Sequence, residues 1–262
     1  MTSKRAEYWN AAYAEYWLKR VEEAETGRVE SLIQAGDKVT EGNQVYFDIF
    51  KEHNLNPGNI LDVGCGWGRF FPFFAQQGVR VFGIDISISM VQMFNGDEII
   101  KEQFVPPMVA EAEHLPFPDA YFDNVACLAV FDATDQDISL TEFLRVLKPN
   151  GQLYLTGKNI NYFENDDLAL EAEIGAAAKG HPNYFTHLKV LVESLTSNGY
   201  SILAQYLFPR RGDFAKRSFH EDLDEKFYEF CIVVRKSKEG FSGFEKPMSS
   251  AVSFVRAKTR NQ

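Results

Sequence analysis

The stretch Leu61 to Phe70, LDVGCGWGRF, decides the fold. A short apolar strand, Asn59–Val63, carries Asp62 near its end. Gly64, Gly66 and Gly68 follow at alternate positions, and a helical pattern opens at Arg69. Glycine takes positive φ without strain and lets a ligand lie against bare backbone. The helix start beyond it offers unpaired N–H groups and the positive end of a dipole to an anionic group such as a carboxylate. The spacing also discriminates between ligands. A dinucleotide turn reads Gly-x-Gly-x-x-Gly, its third glycine one residue later than here. This chain has Gly-x-Gly-x-Gly with an acid two residues ahead of the first glycine, which disfavours a nicotinamide cofactor.

Outward from that turn the chain alternates. Arg69–Gln77 reads as a helix, Val79–Ile84 as a strand, Ser87–Asn95 as a helix, and Phe104–Val109 and Phe122–Ala129 as strands. Ile138–Leu147 is an amphipathic helix, and the turn Lys148-Pro149-Asn150-Gly151 leads into the strand Gln152–Thr156. Strands separated by helices of this length predict βαβ units and a parallel sheet. Further on come two helices, Asp166–Lys179 and His187–Asn198, then two strands, Tyr200–Phe208 and Lys226–Arg235, expected to pair antiparallel. The organisation expected is a helical cap or lid over residues 1–53, a core over 54–236 with an acceptor-side insertion at 158–199, and a loosely attached extension at 237–262.

The second strand ends in VFGIDIS, with Asp85 seventeen residues after Gly68. An acid at that strand end can accept hydrogen bonds from both ribose hydroxyls. A helix N-cap role is the alternative, and Ser87 is an equally good cap. Together these features resemble motif I and the ribose acid of the class I S-adenosylmethionine-dependent methyltransferases. The stretch AEAEHLPFPDAYFDNVACLAVFDATD resembles that family's third-strand loop and fourth strand, and LPFPDAYFD with LTEFLRVLKPNG matches a branch acting on small molecules. The resemblance implies a Rossmann-like, doubly wound α/β fold: a mostly parallel seven-stranded sheet, an antiparallel C-terminal strand and an N-terminal helical cap. It implies S-adenosyl-L-methionine as cofactor and S-adenosyl-L-homocysteine as product, held by Asp62, Gly64, Gly66, Asp85, Ile86, Glu111, Ala112 and Leu128. Glu111 stands where relatives more often have Asp for the adenine amino group, and the Ala112 N–H falls where a ring nitrogen is met. Many relatives carry two histidines after the fourth strand; this chain has Phe131-Asp132, so no histidine role is borrowed there.

Composition narrows the partners. With 27 Lys plus Arg against 37 Asp plus Glu, the formal charge is -10, and a duplex nucleic acid repels such a chain unless basic residues gather on one face. The one tight basic cluster, Arg210 and Arg211 with Lys216 and Arg217, reads as a solvated loop or an anion site. No apolar run is long enough to span a bilayer, so no membrane insertion is expected. The start MTSKRAEYWN lacks the apolar stretch of a secretory signal. Three scattered cysteines form no disulfide framework and no metal spacing, which fits a cytoplasmic protein without a metal. Nothing in the sequence reads on oligomeric state.

For the acceptor, a hydroxyl nucleophile needs a base. His181 and His187, in KGHPNYFTH beyond the fifth strand, are the candidates, because open α/β sheets bind ligands at that edge; a structural role for either stays open. Lys158, Asn159, Tyr162, Asp166 and Asp167 share that edge, the two acids also reading as helix-start residues. Tyr13 and Trp17, on one face of the N-terminal helix, are expected to close over the cofactor or to pack the helix down. GKN, paired acids and KGHPN resemble methyltransferases associated with bacterial surface-polysaccharide clusters. The expected activity is methyl transfer to a small molecule, to an oxygen of a sugar or polysaccharide precursor. The alternatives are a quinone or other small-metabolite methyltransferase, and a non-catalytic module that binds the cofactor.

Overall fold

The computed structural model describes residues 4–15, 44–96, 102–178, 181, 184–211, 226–236 and 252–254. Helix α1, Lys4–Tyr8, runs into a five-residue π-helical turn, Trp9–Tyr13, and residues 44–53 form α2. The alternating region is then laid out as expected: β1 Asn59–Val63, α3 Phe71–Gln76, β2 Arg80–Asp85, α4 Ile88–Gly96, β3 Met108–Val109, β4 Phe122–Cys127, α5 Gln136–Val146 and β5 Leu147–Lys158. The remainder is α6 Asp167–Ala178, β6 Tyr184–Thr186, α7 Leu188–Ser197, β7 Ser201–Phe208, β8 Glu229–Arg235 and β9 Val252–Phe254.

Seven strands make one sheet in the order β3-β2-β1-β4-β5-β8-β7. Strands β1 to β5 pair in parallel, and β8 runs antiparallel to both β5 and β7. This is the doubly wound sheet with one antiparallel strand that the sequence pattern implies, with its order reversing between β1 and β4. A ligand crevice opens at such a reversal, beyond the carboxyl ends of the strands.

Strand alternation sends successive side chains to opposite faces. Leu61, Val63, Val125, Cys127, Leu153, Leu155, Ile232 and Val234 pack on one face with α5 and α7. Ile60, Ala126, Tyr154, Cys231 and Val233 pack on the other against α2 and α3, through a phenylalanine cluster in which Phe47 stacks on Phe73 at 4.2 Å and Phe50 meets Phe74 edge-on at 5.0 Å. The LPFPD and LTEFLRV stretches are one assembly in space. Arg145 donates to the Leu115 and Phe117 carbonyls, and Glu142 accepts from the Leu115 N–H and pairs with Arg145.

Three local outcomes differ from the sequence pattern. Lys148-Pro149-Asn150-Gly151 lies inside the long β5 as an irregularity, where Asn150 takes φ +64° and the β4–β5 register shifts. The third strand shrinks to two residues at the sheet edge. The tail, expected to be loosely attached, contributes β9, which pairs antiparallel with β6 in a second, two-stranded sheet. Among the described residues no helix is long and apolar enough to cross a membrane.

Candidate active site

The glycine turn bends back over the end of β1, with Gly64, Gly66 and Gly68 at φ +72°, +57° and +78°. The three are required for different reasons. A Cβ on Gly64 would sit 2.3 Å from Val130 Cγ2, and one on Gly68 would sit 2.9 Å from Phe94. A Cβ on Gly66 would meet nothing within 4 Å. Gly66 therefore faces open space: a cleft of about 850 Å³, solvent at its mouth included. Gly64, Gly66, Asp85, Ile86, Ala112 and Leu128 all line it.

Asp85 holds the turn in shape. Its Oδ2 accepts from the Gly66 N–H at 2.9 Å and its Oδ1 from the Ser87 N–H at 2.8 Å. Ser87 in turn accepts from the Met90 N–H, so the serine caps α4 and the aspartate stays with the cleft. Burial raises the Asp85 pKa, and the two backbone bonds pull it part of the way back.

Asp62 lies close by, 2% exposed and off the cleft wall. Its Oδ2 has no hydrogen-bond partner among the described residues. Burial pushes its pKa up to about 7, with Arg69 pulling it down and Asp85 pushing it further up. A buried acceptor left unpaired is costly and calls for a donor. An open glycine face, a strand-end acid and an orphaned carboxylate oxygen together fit a ligand bearing hydroxyls and an ammonium, as S-adenosylmethionine does.

Glu111 does not line the cleft, whereas Ala110, Ala112 and Glu113 do. Glu113, which no sequence motif marks, accepts from the Asp135 N–H at 2.6 Å. On the N-terminal side it is Trp9 that lines the cleft. Asn10 ties this segment down: its side-chain oxygen accepts from Ser87 Oγ and the Ser89 N–H, and its carbonyl accepts from Ser89 Oγ. Tyr13 ends the π-helical turn, and Trp17 lies outside the described residues.

Past the carboxyl ends of β4 and β5 a second, charged group assembles. Lys158 Nζ lies 2.9 Å from both Asp132 Oδ2 and Glu173 Oε1, and Glu173 also accepts from the Tyr228 hydroxyl. Burial alone would lower the Lys158 pKa, but the two carboxylates outweigh it and raise it. Burial would raise that of Asp132; Lys158 foremost, and His181 after it, bring it below the usual carboxylate value. Glu229 is the cross-strand partner of Lys158. Its pKa is pushed up to about 7 by burial, against the pull of Lys158. The His181 ring packs edge-on against Tyr8 at 5.3 Å and Trp9 at 5.0 Å, so it reaches the cleft rim through Trp9. Asp132, Glu173 and the adjacent Tyr228-Glu229 carry no sequence signal as a group, because they come from three separated stretches with no common spacing; Phe131-Asp132 registers only as a departure from relatives.

Other candidates fall elsewhere. His187 occupies the N-cap position of α7, makes no side-chain cap bond there and does not line the cleft. Asp166 caps α6 through the Ala169 N–H, and Asp167 is exposed. Asn159 is buried and bridges to Thr186, while Tyr162 packs against Phe185 and Tyr228. Arg210 stacks on Phe163 and donates to Asn165, and the Arg211 N–H donates to Asp166. The remaining basic residues of that cluster, Lys216 and Arg217, lie outside the described residues. Among the described residues no group of His, Cys, Asp and Glu is arranged to hold a metal ion.

Residues 61–155 match a family model described as a methyltransferase domain. Residues 61–155 of the chain thus carry a methyltransferase domain. Over 105 residues it is 37% identical to a protein of Paraburkholderia xenovorans (strain LB400) named ubiquinone/menaquinone biosynthesis C-methyltransferase UbiE, a match covering 38% of this chain and 43% of that protein. The chain thus spans less than half the length of the curated relatives it matches. Among solved structures, the magnesium protoporphyrin IX methyltransferase ChlM of Synechocystis PCC 6803, with bound SAH, superposes with a TM-score of 0.58 at 20% identity over 88% of this chain and 98% of that one. The [4+2]-cyclase SpnF superposes with a TM-score of 0.55 at 21% identity, over 79% and 82%. At such identities the likeness speaks for the fold. The methyltransferase domain match ends at Leu155, before Lys158, Glu173, His181, Tyr228 and Glu229.

Proposed function

We propose that this chain transfers a methyl group from S-adenosylmethionine to an oxygen of a small, polar acceptor, of the kind a sugar or surface-polysaccharide precursor presents. Bound in the cleft, the cofactor supplies an electrophilic methyl group on a sulfonium. On this reading Asp85 takes the ribose hydroxyls and the Ala112 N–H meets the adenine edge, while Glu111, expected to take the adenine amino group, lies off the cleft wall that Glu113 lines. Gly64, Gly66, Ile86 and Leu128 form the walls, Asp62 faces the ammonium, and the N-terminal segment around Trp9 and Tyr13 closes the roof. His181, at the rim, takes the proton from the acceptor hydroxyl, a role typically worth ~10²–10⁴ in rate; His187 is the second candidate.

One observation carries the choice of acceptor. Ala133 and Thr134 belong to the cleft wall, and the residue before them, Asp132, is ion-paired to the mostly buried Lys158. The charged Asp132, Lys158 and Glu229 behind that wall favour an acceptor with hydroxyls, which can pair with charged groups, over an apolar ring that leaves them unpaired. The name of the Paraburkholderia relative favours a quinone-type acceptor instead, but that match covers only 38% of this chain. Assaying methyl-labelled cofactor with hydroxylated sugars and with a demethylated quinol separates the two. Label on a sugar oxygen is expected; label on a quinol ring carbon, with none on any sugar, contradicts the reading.

A further inference from the structure

We infer that Asn10 is a positioning residue for the cofactor: it latches the N-terminal segment to the start of α4 and so holds Trp9 in the cleft wall. This role rests on the reading of the segment around Trp9 as the roof over the cofactor.

The latch is made of direct hydrogen bonds. Asn10 Oδ1 accepts from Ser87 Oγ at 3.1 Å and from the Ser89 N–H at 3.3 Å, and the Asn10 carbonyl accepts from Ser89 Oγ at 3.1 Å. The single Ser87 hydroxyl proton is shared with the Trp9 carbonyl, 3.2 Å away. The first turn of a helix leaves its N–H groups without partners inside the helix. Asn10 supplies, from another element, the acceptor that the Ser89 N–H needs. A short side-chain amide oxygen is among the preferred acceptors at a helix start. The amide nitrogen of Asn10 takes no part in these bonds.

The anchor of the latch is also part of the cofactor cleft. The Ser87 N–H donates to Asp85 Oδ1 at 2.8 Å, and Asp85 Oδ2 accepts from the Gly66 N–H at 2.9 Å. A continuous run of hydrogen bonds therefore joins the glycine turn, Asp85, Ser87 and Asn10. Gly66, Asp85, Ile86 and Met90 line the cleft from this side, and Trp9 lines it from the N-terminal segment. Tyr8 and His181 meet the Trp9 ring edge-on at 5.1 Å and 5.0 Å. These rings fix the orientation of the indole, while Asn10 fixes the backbone that carries it. That backbone is the π-helical turn Trp9–Tyr13, a form that occurs mostly as single turns and frequently at functional sites.

Asn10 is half-buried, and its segment belongs to neither sheet. Each bond of the latch is worth little in net stability, so the roof can open for entry and exit. The latch thus governs how long the cofactor stays, and the core folds without it.

Release of S-adenosylhomocysteine from the full chain, followed by surface plasmon resonance, tests the assignment without any acceptor. Asn10→Ala is expected to speed release about tenfold, the scale of one to two net hydrogen bonds, with little change in the melting temperature of the unliganded protein. Asn10→Asp keeps both acceptor bonds at the positive end of α4 and should restore slow release. Glu7→Gln, exposed on α1, should release at the wild-type rate. A lowered melting temperature in Asn10→Ala with unchanged release would leave Asn10 a purely structural part and overturn the inference, as would fast release in Asn10→Asp. Trp9→Ala tells the latch from the roof. Fast release in that variant beside wild-type release in Asn10→Ala removes the latch and keeps the roof; wild-type release in both removes the roof as well. Should Asn10→Ala fail to fold, amide exchange in the wild type decides. Slowing by S-adenosylhomocysteine over residues 8–13 together with 86–90 supports the latch, and slowing over 86–90 alone contradicts it.

Discussion

The cofactor side and the acceptor side of this molecule are built by opposite means. Around the cofactor cleft the work falls on backbone: three glycines at positive φ, a strand-end acid that accepts two main-chain N–H bonds, and strand ends in parallel register. Everything needed sits within a few residues of a strand terminus, so it repeats as a short motif. The acceptor side is made of side chains that meet only after folding. Lys158 at the end of β5, Asp132 after β4, Glu173 in the middle of α6 and Tyr228 before β8 are joined by a hydrogen-bonded chain. Backbone sites are tied to the fold and recur wherever the fold does. Side-chain clusters of this kind are free to differ between proteins with the same core.

The contrast predicts different failures. Lys158→Met should have the largest effect on stability. It leaves Asp132 and Glu173 buried without their counter-charge, a change that typically costs about 3–5 kcal/mol. Urea denaturation monitored by circular dichroism measures it, and a loss below about 1 kcal/mol would mean that the cluster is solvated rather than buried.

Within the glycine turn the effects should separate. Gly64→Ala places a methyl against Val130 at a strained φ, so stability should fall by about 1–3 kcal/mol from overpacking alone. Gly66→Ala meets no protein atom, so only the cost of a left-handed backbone remains, about 1–2 kcal/mol. Its methyl group enters the cleft, and cofactor affinity should fall at least tenfold while the fold survives. Equal destabilisation of both variants with unchanged affinity would show that Gly66 does not face the ligand.

This division also explains what was legible in the sequence. The mostly parallel seven-stranded sheet, its antiparallel C-terminal pairing and the cleft-lining Gly64, Gly66, Asp85, Ile86, Ala112 and Leu128 follow from periodicity and from the motif resemblance. The packing reason for Gly64 was not legible, since Val130 lies 66 residues further along the chain. Nor was Trp9 singled out over Tyr13 and Trp17, because helical spacing gives a face but not what the face meets. Glu173 looked like one more acid in a helix rich in Ala and Glu; only the approach of Lys158 from another element gives it a part. The strand β9, which pairs antiparallel with β6, carried no periodic pattern in the sequence.

Calorimetry with S-adenosylhomocysteine at pH 6 and pH 8, on wild type, Asp62→Asn and Asp85→Ala, tests the cofactor cleft most directly. Burial pushes the Asp62 pKa up to about 7, against 3.8 ordinarily. Below that value it holds a proton and presents no charge to the ligand's ammonium, so wild-type affinity should rise from pH 6 to pH 8. The rise should vanish in Asp62→Asn. Asp85→Ala should weaken binding at both pH values by about 1.5–3 kcal/mol, the usual worth of hydrogen bonds to a charged group. Tight binding of NAD, with no heat from the adenosyl ligand at either pH, would contradict the account.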